Sequence, residues 1–251
     1  MRRRTYLVGI GGATTGGVAG IATAGATVQE DDDAEATTED RLVDDFERGD
    51  LEPYRGDVEY FELIDLEEKE GLLLQKNGEG FRWIYSMPGD GLEHYPVRGD
   101  TIQFYINTAT SSQSEGPHSQ HHFHYGVQRD HDHDQGAQYY LASIVPDADT
   151  IALHRFDEDA GQDSTSMLEL AAESDIEFYS GRWYRCVVEW GPEGETDPTH
   201  RFTVHEAFGE QETVGEVEAE NDDILGEDGG IGFSADGNVG RERWDNIQLL
   251  P

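Results

Sequence analysis

The chain has 251 residues, of which 54 are Asp or Glu and 17 are Lys or Arg, for a formal charge of −37. So acidic a chain has no basic surface with which to release counterions from nucleic acid or to hold an anionic membrane, and both partners are excluded. Molar salt shortens the Debye length to about 3 Å and relieves the self-repulsion of such a charge, so the composition reads as adapted to concentrated salt. Cys186 is the only cysteine, which excludes an intramolecular disulfide and cysteine-ligated zinc or iron–sulfur sites.

In chain order, Arg2, Arg3 and Arg4 precede a weakly apolar, Gly- and Ala-rich stretch over residues 8–21, and two A-x-A patterns end at Ala24 and Ala26. A positive start, an apolar middle and a small-residue end predict a secretory signal over residues 1–26. The run Arg3-Arg4-Thr5-Tyr6-Leu7 resembles the twin-arginine motif, which implies export of the folded chain to the cell exterior. Residues 27–41, with Glu30, Asp31, Asp32, Asp33, Glu35, Glu39 and Asp40, are expected to be a solvated acidic tether. No membrane insertion is expected once the signal is removed.

From residue 42 to 251 one domain is expected, and its apolar residues recur with a period of two. Ile102, Phe104 and Ile106 alternate with Gln103, Tyr105 and Asn107; Tyr184, Cys186, Val188 and Trp190 alternate with Arg185, Val187 and Glu189. Further strands are predicted over residues 58–64, 72–75, 81–86, 121–128, 137–145, 150–156, 201–208, 213–217, 230–234 and 244–249. Turn clusters such as Met87-Pro88-Gly89-Asp90-Gly91 and Asp236-Gly237-Asn238 separate them. Only residues 166–173 read as helical, for two turns. A dozen short strands without βα alternation predict an all-β, two-sheet antiparallel sandwich or jelly roll.

Three segments carry a family resemblance. These are the opening Asp44-Asp45-Phe46-Glu47-Arg48-Gly49-Asp50-Leu51, the middle Trp183-Tyr184-Arg185-Cys186-Val187-Val188-Glu189-Trp190, and the close Gly229-Gly230-Ile231-Gly232-Phe233 with Trp244-Asp245-Asn246-Ile247. Together they resemble concanavalin A-like jelly rolls of the LamG or glucanase type. The resemblance implies an opening strand beside the closing strand, a hairpin following the Trp183 strand, and a curved sheet that binds or cleaves polysaccharide. In the glucanases an acidic Glu-x-Asp-x-(x)-Glu strand is catalytic. The nearest match, Glu216-Val217-Glu218-Ala219-Glu220, lacks the Asp and lies in an acid-rich tract, so it reads as a solvated face. Jelly-roll lyases imply a Tyr, His, Arg and Gln group; Gln120, His122, Tyr125 and Arg129 lie close in sequence, but the lyase Y-x-K strand is missing.

The expected function is therefore a secreted, salt-adapted binding module for a polysaccharide or glycan. A glycoside hydrolase or lyase of the same fold is the alternative, and a surface structural or adhesion domain is the second. No catalytic residue is assigned. The ligand face is predicted to carry Arg82, Gln103, Tyr105, His122, His124 and Tyr140, with Phe104, Ile106, Phe123 and Tyr125 turned to the core. Six of the ten histidines lie between residues 118 and 134. His122 and His124 would share a strand face, and His131 and His133 could meet them across a hairpin, a donor set suited to zinc. Asp44 or Asp45 beside Asp245 resembles the places where related jelly rolls hold calcium, a hard cation that prefers oxygen ligands.

Overall fold

A computed structural model describes residues 41–66, 69–78, 80–108, 120–128, 138–157, 167–191, 199–220, 226, 228–236 and 242–251, all within one compact unit. The expected signal and tether, apart from residue 41, lie outside these residues, as do Arg129, His131 and His133. The strands are β1 (Arg41–Asp44), β2 (Arg55–Gly56), β3 (Phe61–Leu66), β4 (Lys69–Lys76), β5 (Arg82–Ser86), β6 (Thr101–Asn107), β7 (Gln120–Val127), β8 (Gln138–Val145), β9 (Thr150–Asp157), β10 (Met167–Glu173), β11 (Trp183–Trp190), β12 (Thr199–Glu206), β13 (Thr213–Glu220), β14 (Gly230–Asp236) and β15 (Arg243–Leu250). Two single turns of 3-10 helix, Val58–Tyr60 and Pro146–Ala148, are the only helical pieces among the described residues.

The strands form two sheets. Sheet A runs β13-β12-β11-β6-β15-β4-β3, with β1 also on β15; sheet B runs β10-β9-β8-β7-β14-β5-β2. As the resemblance implies, the opening strand lies antiparallel to the closing one, with Arg41 opposite Leu249 and Asp44 opposite Ile247. β11 likewise pairs with the following strand, β12. The fold is an all-β, two-sheet antiparallel jelly-roll sandwich.

The core between the sheets is aromatic. Phe104 of β6 and Phe123 of β7 stack across the gap at 4.2 Å, and Phe233 of β14 meets Trp244 of β15 at 5.7 Å. Each such ring contributes about 2–3 kcal/mol by leaving water, before the entropy of ordering it. Phe104, Ile106, Phe123 and Tyr125 are all buried here, the side they were expected to face. Cys186 is buried in the same core, where desolvation pushes its thiol pKa up and leaves it an inert apolar group. At one end of the sandwich the ammonium of Lys76 lies 3.9 Å from the Glu242 carboxylate, both fully buried. Burial pulls the Lys76 pKa down, and Glu242 opposes that pull.

Residues 166–173 correct an expectation: Met167–Glu173 form the edge strand β10, not a helix. Their Met, Leu, Glu and Ala favour helix only weakly per residue, and pairing along β9 from Met167–Phe156 to Glu173–Ile151 outweighs that preference.

Candidate ligand-binding face

In sheet B, strand alternation sends one set of side chains into the core and the other onto the outer face. Core positions are Ile84, Phe123, Tyr125, Tyr140, Ala142, Ile144, Leu153, Ile231 and Phe233. The register then places Trp83 and Tyr85 of β5, Gly232 and Ser234 of β14, and Gln120, His122 and His124 of β7 on the outer face. They are joined by Tyr139, Leu141 and Ser143 of β8, His154 and Phe156 of β9, and Glu169 of β10. Tyr85, Val127, Tyr139 and Leu141 form a second buried cluster there, flanked by Trp83, Met87 and Phe156 and separate from the main core.

Two systems cross this face. One is a run of stacked rings: His124 on Tyr139 at 4.6 Å, Tyr139 on Phe156 at 4.9 Å, and Trp83 on Tyr85 at 5.3 Å. Gly232 lies between the two groups of rings. A Cβ there would sit 2.8 Å from the Ile84 carbonyl oxygen, 3.2 Å from Tyr85 Cβ and 3.4 Å from His124 Cβ, so a larger residue would push the strands apart.

The other system is a polar row. His122 Nε2 donates to Gln120 Oε1 at 3.1 Å, which makes His122 Nδ1 the acceptor for the Ser143 hydroxyl at 2.8 Å. Ser143 Oγ lies 3.4 Å from His154 Nδ1, and His154 Nε2 lies 3.9 Å from the exposed Glu169 carboxylate. His124 Nε2 meets Ser234 Oγ at 2.6 Å. Burial pushes the His122 pKa down to about 3, with His154 and His121 adding to the effect. Burial also lowers His154, against the pull of Glu169. Both imidazoles are therefore neutral at neutral pH and act as hydrogen-bonding groups. Among the described residues, the parts of the face open to solvent include Phe81, which is 38% exposed, Met167, Glu169, and the half-buried Trp83, Gln120, His154, Phe156 and Asp236.

Of the six expected ligand residues, only His122 and His124 meet on this face. Tyr140 turns into the core, stacked on Tyr125 at 5.4 Å, because the outward register of β8 falls on Tyr139 and Leu141. Gln103 and Tyr105 lie on the outer side of sheet A; Gln103 accepts from Arg185 at 3.1 Å, and Tyr105 packs beside Leu73 and Trp183. Arg82 stands opposite core residue Ala235, with its guanidinium 4.0 Å from the Tyr60 ring centroid. Trp83, Tyr85, Tyr139, Ser143, His154 and Phe156, which the sequence analysis did not name, share the face with His122 and His124.

The other constellations are dispersed. Glu216, Glu218 and Glu220 are exposed on β13 at the edge of sheet A; Glu218 accepts from Arg201 at 2.7 Å and Glu216 from Thr203 at 3.1 Å. Gln120 and His122 are neighbours, but Tyr125 points inward to His200 Nδ1 at 3.0 Å. The calcium reading does not fit Asp44: its carboxylate accepts two bonds from Arg48, at 2.9 and 2.7 Å, one from Tyr54 at 2.7 Å and one from the Phe46 amide at 2.8 Å. Asp45 accepts from the Glu47 amide at 3.1 Å, and Asp245 is buried in β15 opposite Tyr105. No group of three His, Cys, Asp or Glu suited to a metal ion occurs among the described residues.

No family model matches the chain. No curated protein matches it either. Among solved structures it is similar to the exoplasmic/lumenal domain of VIP36 in its Ca2+-bound form, at 9% identity and a TM-score of 0.52, over 78% of this chain and 82% of that one. The Ca2+/Man2-bound form of the same domain aligns at 10% identity and a TM-score of 0.51, over 78% and 79%. A marine PL-14 alginate lyase from Aplysia kurodai aligns at 12% identity and a TM-score of 0.47, over 78% and 88%. The VIP36 likenesses are of fold alone, that of a two-sheet antiparallel jelly-roll sandwich.

Proposed function

We propose that this chain is a carbohydrate-binding module whose sugar contacts are made on the outer face of sheet B. The observation that carries the reading is the run of stacked rings lying beside a row of neutral hydrogen-bonding side chains on one face. Sugars present C–H faces that pack on aromatic rings and hydroxyls that pair with planar polar groups, which is the chemistry of that face. VIP36, a protein of the same fold, is described in a Man2-bound form. The proposal includes export and work in concentrated salt, supported by the Arg3-Arg4 segment and the charge of −37.

The test is a polysaccharide array probed in 2 M KCl with the wild type and with Trp83→Ala plus Phe156→Ala. Both rings are half-buried and reach solvent, so the variant should keep its fold, checked by circular dichroism, while losing binding. Binding that survives the double substitution moves the site off this face. A wild type that retains no polysaccharide favours the structural or adhesion role.

A further inference from the structure

From the charges around the same face we infer that the ligand is an uncharged glycan, one whose sugars carry no uronate or sulfate; this rests on the carbohydrate reading above. Recognition of a sugar carboxylate or sulfate is strongest with a cationic donor, most often an arginine fork or a lysine ammonium. The described strands of sheet B contain three arginines and no lysine. Arg82 and Arg155 stand in the core register, opposite Ala235 and Tyr140 respectively. Arg55 is the one cation in the outward register, opposite Tyr85 at the sheet's edge, and its guanidinium is engaged by the Asp90 carboxylate.

Among the described residues, the other charged side chains in the outward register are acids. Glu169 stands opposite His154 on β10, with its side chain 63% exposed, and Asp236 stands opposite Gln120 where β14 pairs with β7. The imidazoles between them supply neutral donors and acceptors, the partners that hydroxyl groups require. An anionic sugar laid on this face would lose the hydration of its charge, meet no cation of the described strands other than Arg55, which Asp90 engages, and approach two carboxylates. A neutral sugar meets none of these costs.

The remote charge of the molecule would also repel a polyanion, so the experiment must separate that long-range effect from the local one. At 2 M KCl the screening length is below about 3 Å, and only contacts on the face itself still discriminate. The wild type is titrated at 2 M KCl with mannan, glucomannan and laminarin as neutral probes, and with alginate and polygalacturonate as polyuronates. Binding to at least one neutral polymer, tenfold or more tighter than to either polyuronate, is the expected result. Glu169→Lys, a change at an exposed position, should narrow that ratio at least threefold by supplying the missing cation. A polyuronate bound as tightly as the best neutral polymer overturns the inference and leaves the carbohydrate reading standing. Retention of no polymer by the folded wild type overturns both.

Discussion

At the scale of single residues, the structure carries buried neutral histidines whose protonation opposes folding. His122 is pushed down to about 3 by burial with help from His154 and His121, and His200 to about 4 by burial with help from Arg98. In the unfolded chain both titrate near their ordinary value of about 6.5. Between those limits the unfolded state binds more protons, so stability rises with pH by up to about 1.4 kcal/mol per unit for each group. Their contribution is complete above about pH 6.5 and is lost as pH falls toward 4 for His200 and 3 for His122. Urea unfolding at fixed 2 M KCl should therefore show a loss of about 3 kcal/mol between pH 6.5 and 5. His200→Phe should lower stability at pH 7.5, since Tyr125 loses a hydrogen-bond partner, yet halve that slope. Equal stability at pH 7.5 and 5 in the wild type would contradict the neutral buried imidazoles. The side-chain directions of His122 and His124 were legible in the sequence because polar and aromatic residues alternate along β7. Tyr140 was assigned to the wrong face because β8, Gln-Tyr-Tyr-Leu-Ala-Ser-Ile-Val, is apolar on both sides. A strand that feeds one cluster inward and another outward has no alternation from which to read its register.

At the scale of elements, most strands were legible, because a period of two between Gly/Pro turns needs only local sequence. Sheet order was not, since β6 lies between β11 and β15, partners distant in the chain, and nothing local specifies that. The candidate face was obscured for the same reason: Trp83 on β5 and His154 on β9 reach one face only through the order β9-β8-β7-β14-β5. β10 is the opposite case, an element whose local preference was plain and was overruled. Its sequence, Met-Leu-Glu-Leu-Ala-Ala-Glu, favours a helix, but it completes the edge of sheet B, and Glu173 at its end accepts the Glu216 amide of β13 at 2.8 Å, joining the edges of the two sheets. The exposed Ala172 distinguishes the two states by the sign of one substitution. Ala172→Thr in a helix would cost about 0.5 kcal/mol, whereas in a strand β-branching favours the pleated conformation by up to about 1 kcal/mol. Urea titration should show Ala172→Thr equal to or more stable than the wild type; a drop of half a kcal/mol or more would restore the helix.

At the scale of the whole molecule, the acids outnumber the cations so far that pairing cannot neutralise them. Among the described residues, Arg41 is engaged with Asp100, Arg48 with Asp44, Arg55 with Asp90, Arg182 with Glu206, and Arg201 with both Glu189 and Glu218. With 17 Lys and Arg against 54 acids, more than half of the carboxylates would lack a partner even if every cation took one. Exposed pairs such as those of Arg182 and Arg201 contribute only about 0–1 kcal/mol each, so surface pairing cannot hold the fold against the remaining repulsion. Screening must do that, and its dependence on salt is steep only at first: the Debye length falls from about 10 Å at 0.1 M to about 3 Å at 1 M and changes little afterwards. The thermal midpoint should accordingly climb between 0.1 and 1 M KCl and flatten beyond, with NaCl giving the same curve and an isosmolar neutral osmolyte reproducing only a small part of the rise. A rise that continues undiminished to 3 M would instead identify salting-out of apolar surface as the stabilising effect. A midpoint equal at 0.1 and 2 M KCl would show that the charge of −37 is borne by the folded chain without screening, and would remove the physical basis for reading the molecule as adapted to salt.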